Sequence, residues 1–122
     1  MGGYLVSRAI NISKRGIPAK IKVGKATYKV FWCKGFSKKN PLIYKVKPQK
    51  NFYGMCNGRD KQIFLADLIP KSRLYPVVFH ELLHAVSYEF KLNFSEKMVR
   101  KLQTGLTSIL RQNIWAIGLR DK

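Results

Sequence analysis

Residues 20–32 alternate apolar and polar positions with a period of two on either side of Gly24-Lys25. Ile21 and Val23 fall on one face of the first run, and Tyr28, Val30 and Trp32 on one face of the second; Lys22 and Lys29 point the other way. Successive strand side chains point to opposite faces, so the pattern predicts a half-buried hairpin, Lys20–Val23 with Ala26–Trp32, carrying a basic outer surface. Glycine supplies the positive φ that a tight hairpin turn needs. A second hairpin is predicted from Phe52–Cys56, the turn residues Asn57-Gly58, and Gln62–Ala66, because both Asn and Gly tolerate left-handed backbone.

The period then changes. After a linker over Pro70–Tyr75, Pro76 suits the start of a helix, where its missing N–H costs nothing. The predicted helix runs to about Phe90 and is apolar on nearly every side, which implies central burial. Asn93 or Ser95 can cap a second helix, in which Met98, Val99, Leu102, Leu106, Ile109 and Leu110 recur at helical spacing. Residues 1–16 show no clear period and read as a basic N-terminal extension to a single domain at 17–122. Between the hairpins, residues 34–50 interleave lysines with Phe36 and Tyr44, and Leu42–Val46 reads as a short strand. The apolar residues Ile114, Trp115, Ile117 and Leu119 are expected to fold back on the core. The fold class is therefore α+β: a small antiparallel or mixed sheet of two hairpins beside two helices.

Charge is the second signal. The 122 residues hold 24 Lys and Arg against 6 Asp and Glu, a net charge of +18. Residues 1–59 contain 14 of the basic residues and no acid at all. Such a field attracts polyanions, and this points to non-specific nucleic-acid contact, although lysines on outer strand faces also serve solubility. No apolar run approaches the roughly 18 residues of a membrane span. No secretory signal is visible at the N-terminus, and two cysteines make no disulfide framework. The expected setting is the interior of a cell: host cytoplasm, or a virion if the protein is phage-encoded.

The chemistry concentrates in His80-Glu81-Leu82-Leu83-His84, which holds the only two histidines. Four residues is one helical turn, so the two imidazoles can converge on one metal ion, with Glu81 beside them as a general base. A metal also gives partners to groups that would be costly to bury alone on such an apolar helix. A catalytic zinc site generally takes three protein ligands, and with no third histidine a carboxylate or cysteine must serve. Glu89 lies about 160° around the helix from the histidine pair and points away. Glu96 can face the pair if the second helix folds back, although an acid at that position also suits a helix N-terminus. Asp60, Asp67 and Cys56 are weaker alternatives, and Cys33 reads as core.

Together, Tyr53-Gly54-Met55-Cys56, Gln62-Ile63-Phe64-Leu65, the HExxH stretch continuing to Ala85-Val86-Ser87, and Leu92-Asn93-Phe94-Ser95-Glu96 resemble small phage- and prophage-encoded metallopeptidases. These lie in the neighbourhood of the ImmA/IrrE and SprT-like zincins. The resemblance covers about residues 17–113, and HExxH is its specific part. It implies a minimal zincin-like fold, a Zn2+ cofactor, hydrolysis of peptide bonds in a protein or peptide substrate, and a glutamate third ligand that maps best to Glu96. Neither the cysteine-rich zinc module of SprT-like proteins nor the helix-turn-helix often joined to ImmA-type proteins is visible in this sequence. The implied mechanism uses a zinc-activated water with Glu81 as general base. Tyr53, Tyr75, Tyr88 and Arg73 are candidate oxyanion donors, and substrate could add to an exposed strand edge at Gln62–Ala66. The alternative reading is a nucleic-acid-binding or virion-associated structural protein on the same scaffold, its zinc structural or its activity lost.

Overall fold

The computed structural model describes residues 9–33 and 53–113. The basic and aromatic stretch at 34–50, with its expected strand at 42–46, and the apolar residues at 114–119 lie outside these. Five strands form one mixed sheet: β1 (Ala9–Ile10), β2 (Lys20–Val23), β3 (Ala26–Cys33), β4 (Gly54–Asn57) and β5 (Gln62–Ala66). A 3-10 turn at Lys71–Arg73 leads into α1 (Leu74–Glu89), and α2 (Glu96–Gln112) follows. The expected α+β class is the observed one, and no described helix is long and apolar enough to cross a membrane.

Strand β3 is the centre. One of its edges takes β1 and β2 in succession, both antiparallel, and the other takes β5 in parallel, with β4 antiparallel beyond it. Gly24, at φ +62°, closes the first hairpin as expected. The expected substrate edge is corrected. Gln62–Ala66 is an internal strand, not an exposed edge; its last four residues are all buried, the mark of a strand covered on both faces. Among the described residues, the edge strand on that side is β4.

Residues 9–17 also pack onto the sheet. Ala9 and Ile10 pair with Cys33 and Trp32, and the Asn11 side-chain amide donates to the carbonyls of both Ala19 and Val30. Lys14 to Ile17 make a tight turn through Arg15 and Gly16, both at positive φ. That turn inserts Ile17 into the core, while Lys14 pairs with Asp67 at 2.9 Å and Arg15 donates to the Ile69 carbonyl. Apart from the Lys14–Ile17 turn and the Asn11–Ala19 bond, these contacts join segments far apart in the chain, so no local period announces them.

The core lies between the sheet and α1, where Tyr28, Val30, Trp32, Ile63 and Leu65 meet Leu74, Val77, Val78 and Ala85. Complete burial of one such aliphatic side chain contributes about 1.5–3 kcal/mol. Pro76 is the third residue of α1 instead of the first, and is still harmless there, since the first four N–H groups of a helix have no intrahelical acceptor. The second turn also departs from expectation. Asn57 stays in β4, paired with Gln62; its side chain accepts from the Asp60 N–H, and Lys61 takes the positive φ. Gly58 is needed for space: a Cβ there would stand 2.4 Å from the Tyr88 ring.

Glu89 ties sheet to helix. It accepts a 2.6 Å hydrogen bond from the Tyr28 hydroxyl and pairs with the Lys61 ammonium. Lys61, then Tyr28, hold its carboxyl below the usual carboxylate range. A depressed folded-state pKa contributes stability above the unfolded value of about 4.5, and that stability is lost as pH falls through the folded value. Glu89→Gln is therefore expected to melt earlier than wild type at neutral pH and to lose less stability on acidification. Thermal melts from pH 7 to pH 3 measure this; parallel curves would contradict it.

Candidate metal centre

The site is built where the chain reverses between the helices. Past Phe90, Lys91 adopts φ +55°, and the N–H groups of Lys91 and Leu92 bond to the carbonyls of Tyr88 and Ser87. This is a Schellman closure with lysine in the left-handed position usually given to glycine. Asn93 takes a second positive φ, and the Phe94 N–H donates to Ser87 Oγ at 2.8 Å. Ser95 then caps α2, its Oγ accepting from the Met98 N–H. Val99 and Thr107 are buried, so α2 lies back along α1, while Met98, Leu106 and Ile109 remain exposed on its outer side. With Ser95 as cap, the Glu96 carboxylate is free to turn toward α1.

It turns onto the histidines. Glu96 Oε2 lies 2.9 Å from His80 Nε2, and Oε1 lies 2.9 Å from His84 Nε2. The two Nε2 atoms are 3.3 Å apart. Donors about 2.0–2.1 Å from a tetrahedral zinc ion stand about 3.3–3.4 Å from one another. The three side chains can thus hold one metal ion with displacements of tenths of an ångström. Burial, then the neighbouring His80, lower the His84 pKa against the pull of Glu96, which favours the neutral imidazole that metals bind.

Three further residues complete the site, and sequence reasoning missed all of them. Gln103 Oε1 lies 3.0 Å from His80 Nδ1, where it accepts that N–H and leaves Nε2 as the donor toward a metal. Gln103 follows Glu96 by seven residues, two turns along the same face of α2, and this spacing is the signal that could have found it. Arg100, one turn after Glu96, places Nε 3.4 Å from Glu96 Oε2. Gly54 on β4 makes room for the base: a Cβ there would meet Glu81 Oε2 at 3.0 Å. Replacing Gln103 with Leu is expected to weaken metal binding by about 10–100-fold, the usual effect of losing an outer partner of a ligating histidine. Competition with a chromophoric chelator measures it, and an unchanged affinity would remove Gln103 from the site.

Glu81 is only 6 % exposed and lies against Gly54. Burial, and then the nearby Glu96 carboxylate, push its pKa up to about 8. A bound dication acts in the opposite sense. Glu81, the two histidines and Glu96 line a cleft of about 930 Å³, with Tyr53, Arg73, Tyr88 and Arg100 also on its walls. Tyr75 is not among the lining residues; its hydroxyl lies by the Gly16 turn.

The other candidate ligands do not join this group. Asp60 bonds to Asn57, and Asp67 pairs with Lys14. Cys56 lines the cleft, but burial, with Glu81 and Glu89 adding to it, pushes its thiol up to about 12. Cys33 is buried, as expected. Glu89 is held by Tyr28 and Lys61.

No protein-family model, curated protein or solved structure matches the chain.

Proposed function

We propose that this chain is a zinc-dependent metallopeptidase of the HExxH type. The observation that carries this reading is one carboxylate, Glu96, standing 2.9 Å from both histidine Nε2 atoms with the buried Glu81 alongside. Two imidazoles and a carboxylate suit zinc better than the hard, oxygen-seeking cations. When bound, zinc supplies Lewis acidity toward a carbonyl and brings the pKa of water down to roughly 7.

The chain's own residues do the rest. Glu81 accepts the proton of the attacking water and returns it to the leaving amine. Gly54 lets β4 approach closely enough to keep the Glu81 carboxylate against the cleft floor. The outer edge of β4, unpaired among the described residues and with Gly54, Met55 and Cys56 lining the cleft, can pair with an extended substrate as an added strand. Tyr53, Tyr88 and Arg73 offer donors from the walls for the developing oxyanion.

A structural metal is the second reading, favoured by donors that come from both helices, so that a cation would clamp α2 to α1. A casein digest and a quenched-fluorescence peptide library, each with zinc-loaded, chelated and zinc-restored protein, separate the two. Zinc-restorable cleavage is the expected result. A zinc-dependent rise in melting temperature without cleavage of any substrate would favour the structural role.

A further inference from the structure

The face of the sheet turned away from α1 carries a charge arrangement that the cleft does not use. In the register of β2 and β3, Lys20 stands directly opposite Lys29, and Lys22 follows on the same face. Lys29 directs its N–H to the Lys61 carbonyl, whereas the next residue, Val30, directs its N–H to Ala19. Lys20 and Lys29 are thus a non-hydrogen-bonded pair, the arrangement that brings cross-strand side chains closest. Like charges in that position repel. Both are exposed, as are Lys22 and Lys25.

Nothing within the described residues neutralises them. The five acids there are committed elsewhere: Asp60 to Asn57, Asp67 to Lys14, Glu89 to Lys61, Glu96 to the histidines and Arg100, and Glu81 to the buried cleft floor. No described carboxylate lies within ion-pair distance of Lys20, Lys22, Lys25 or Lys29. The register also extends the row across the sheet as Lys20, Lys29, Gln62 and Asn57, two ammonium groups followed by two amides. The Asn57 amide already donates to Asp60, so the unneutralised charge is confined to the β2–β3 end of the row, where lysines that repel one another are stabilised by an external anion of repeating charge.

We infer that this band, Lys20, Lys22, Lys25 and Lys29 on the β2–β3 face, is a docking surface for the phosphodiester backbone of a nucleic acid. It contacts phosphates and does not read bases, because the lysines offer point charges on a sheet face and, among the described residues, no element projects from that face to enter a groove. The surface is separate from the metal centre, so it stands or falls independently of hydrolysis.

Fluorescence anisotropy with a labelled 20-base-pair DNA duplex, titrated from 50 to 200 mM salt, tests it. Each phosphate contact adds about 0.9 to the log–log salt slope. The triple variant Lys20→Gln, Lys22→Gln, Lys29→Gln is expected to flatten that slope by about 2.7 and to bind at least about tenfold more weakly at 100 mM salt. The control Lys97→Gln, Lys101→Gln, Arg111→Gln removes the same charge from exposed positions of α2 and is expected to lose much less. Lysine-to-arginine replacement at the three sheet positions should restore binding. Equal losses in sheet variant and control would show diffuse attraction and overturn the proposal, as would absence of binding by wild type. Poly-glutamate bound as tightly as the duplex, and lost equally in the sheet variant, would assign the face to acidic polypeptides and overturn it too.

Discussion

Glu81→Gln is expected to keep one zinc per chain and to lose hydrolysis by about 10²–10⁴-fold in kcat, the span general-base removal ordinarily covers. The amide keeps the shape of the carboxyl group but cannot take a proton from water. The metal donors are untouched, because Glu81 is not among the three side chains that converge. The same substitution has a stability signature. In the metal-free protein burial pushes Glu81 up to about 8, so the folded state binds its proton more tightly than the unfolded state does. A raised carboxylate pKa means stability falls as pH rises from the unfolded value of about 4.5 toward about 8. Glu81→Gln abolishes that slope, and the metal-free variant should melt above wild type at neutral pH. Gain of stability with loss of activity is the mark of a functional group held at a cost. Zinc analysis, peptide hydrolysis and pH-dependent melting of chelated protein measure the three quantities. Undiminished cleavage of a susceptible peptide would remove Glu81 from the mechanism.

The second large effect is at Glu96. Alanine there removes both oxygens that bridge the histidines, and zinc affinity is expected to fall by more than the roughly 10–100-fold typical of an outer-shell change. Helix α2 should survive, because Ser95 supplies the cap. Arg100 loses its partner, but a half-exposed ion pair of this kind contributes only about 0–1 kcal/mol. The variant should therefore be folded, metal-poor and inactive, with circular dichroism close to wild type. Unaltered zinc affinity would transfer the third position to another donor.

Where information was local, it was legible. Alternation located β2 and β3, because one face of each packs on α1 and the other does not. The HExxH spacing places two imidazoles on one turn, and Glu96 at the start of a second helix leads the third-ligand candidates, with Asp60, Asp67 and Cys56 left open as weaker ones. What could not be read depends on contacts between distant segments. The parallel pairing of β3 with β5 leaves no local trace, so Gln62–Ala66 passed for an edge until its burial on both faces showed it to be internal. Residues 9–17 join the fold through a two-residue strand, an asparagine amide and a tight turn, none of which has a period. At Asn57-Gly58 the favoured turn dipeptide yielded to a side-chain bond with Asp60 and to the close approach of Tyr88. Gln103 required the relative rotation of the two helices, which the Schellman closure at Lys91 and the turn at Asn93 set.

The central claim is one zinc ion held by His80, His84 and Glu96. X-ray absorption at the zinc edge, on protein loaded with one equivalent, tests it most directly. Two imidazole nitrogens and only nitrogen or oxygen donors, at about 2.0–2.2 Å, are expected. A sulfur scatterer at about 2.3 Å would place Cys56 or Cys33 on the metal and contradict it.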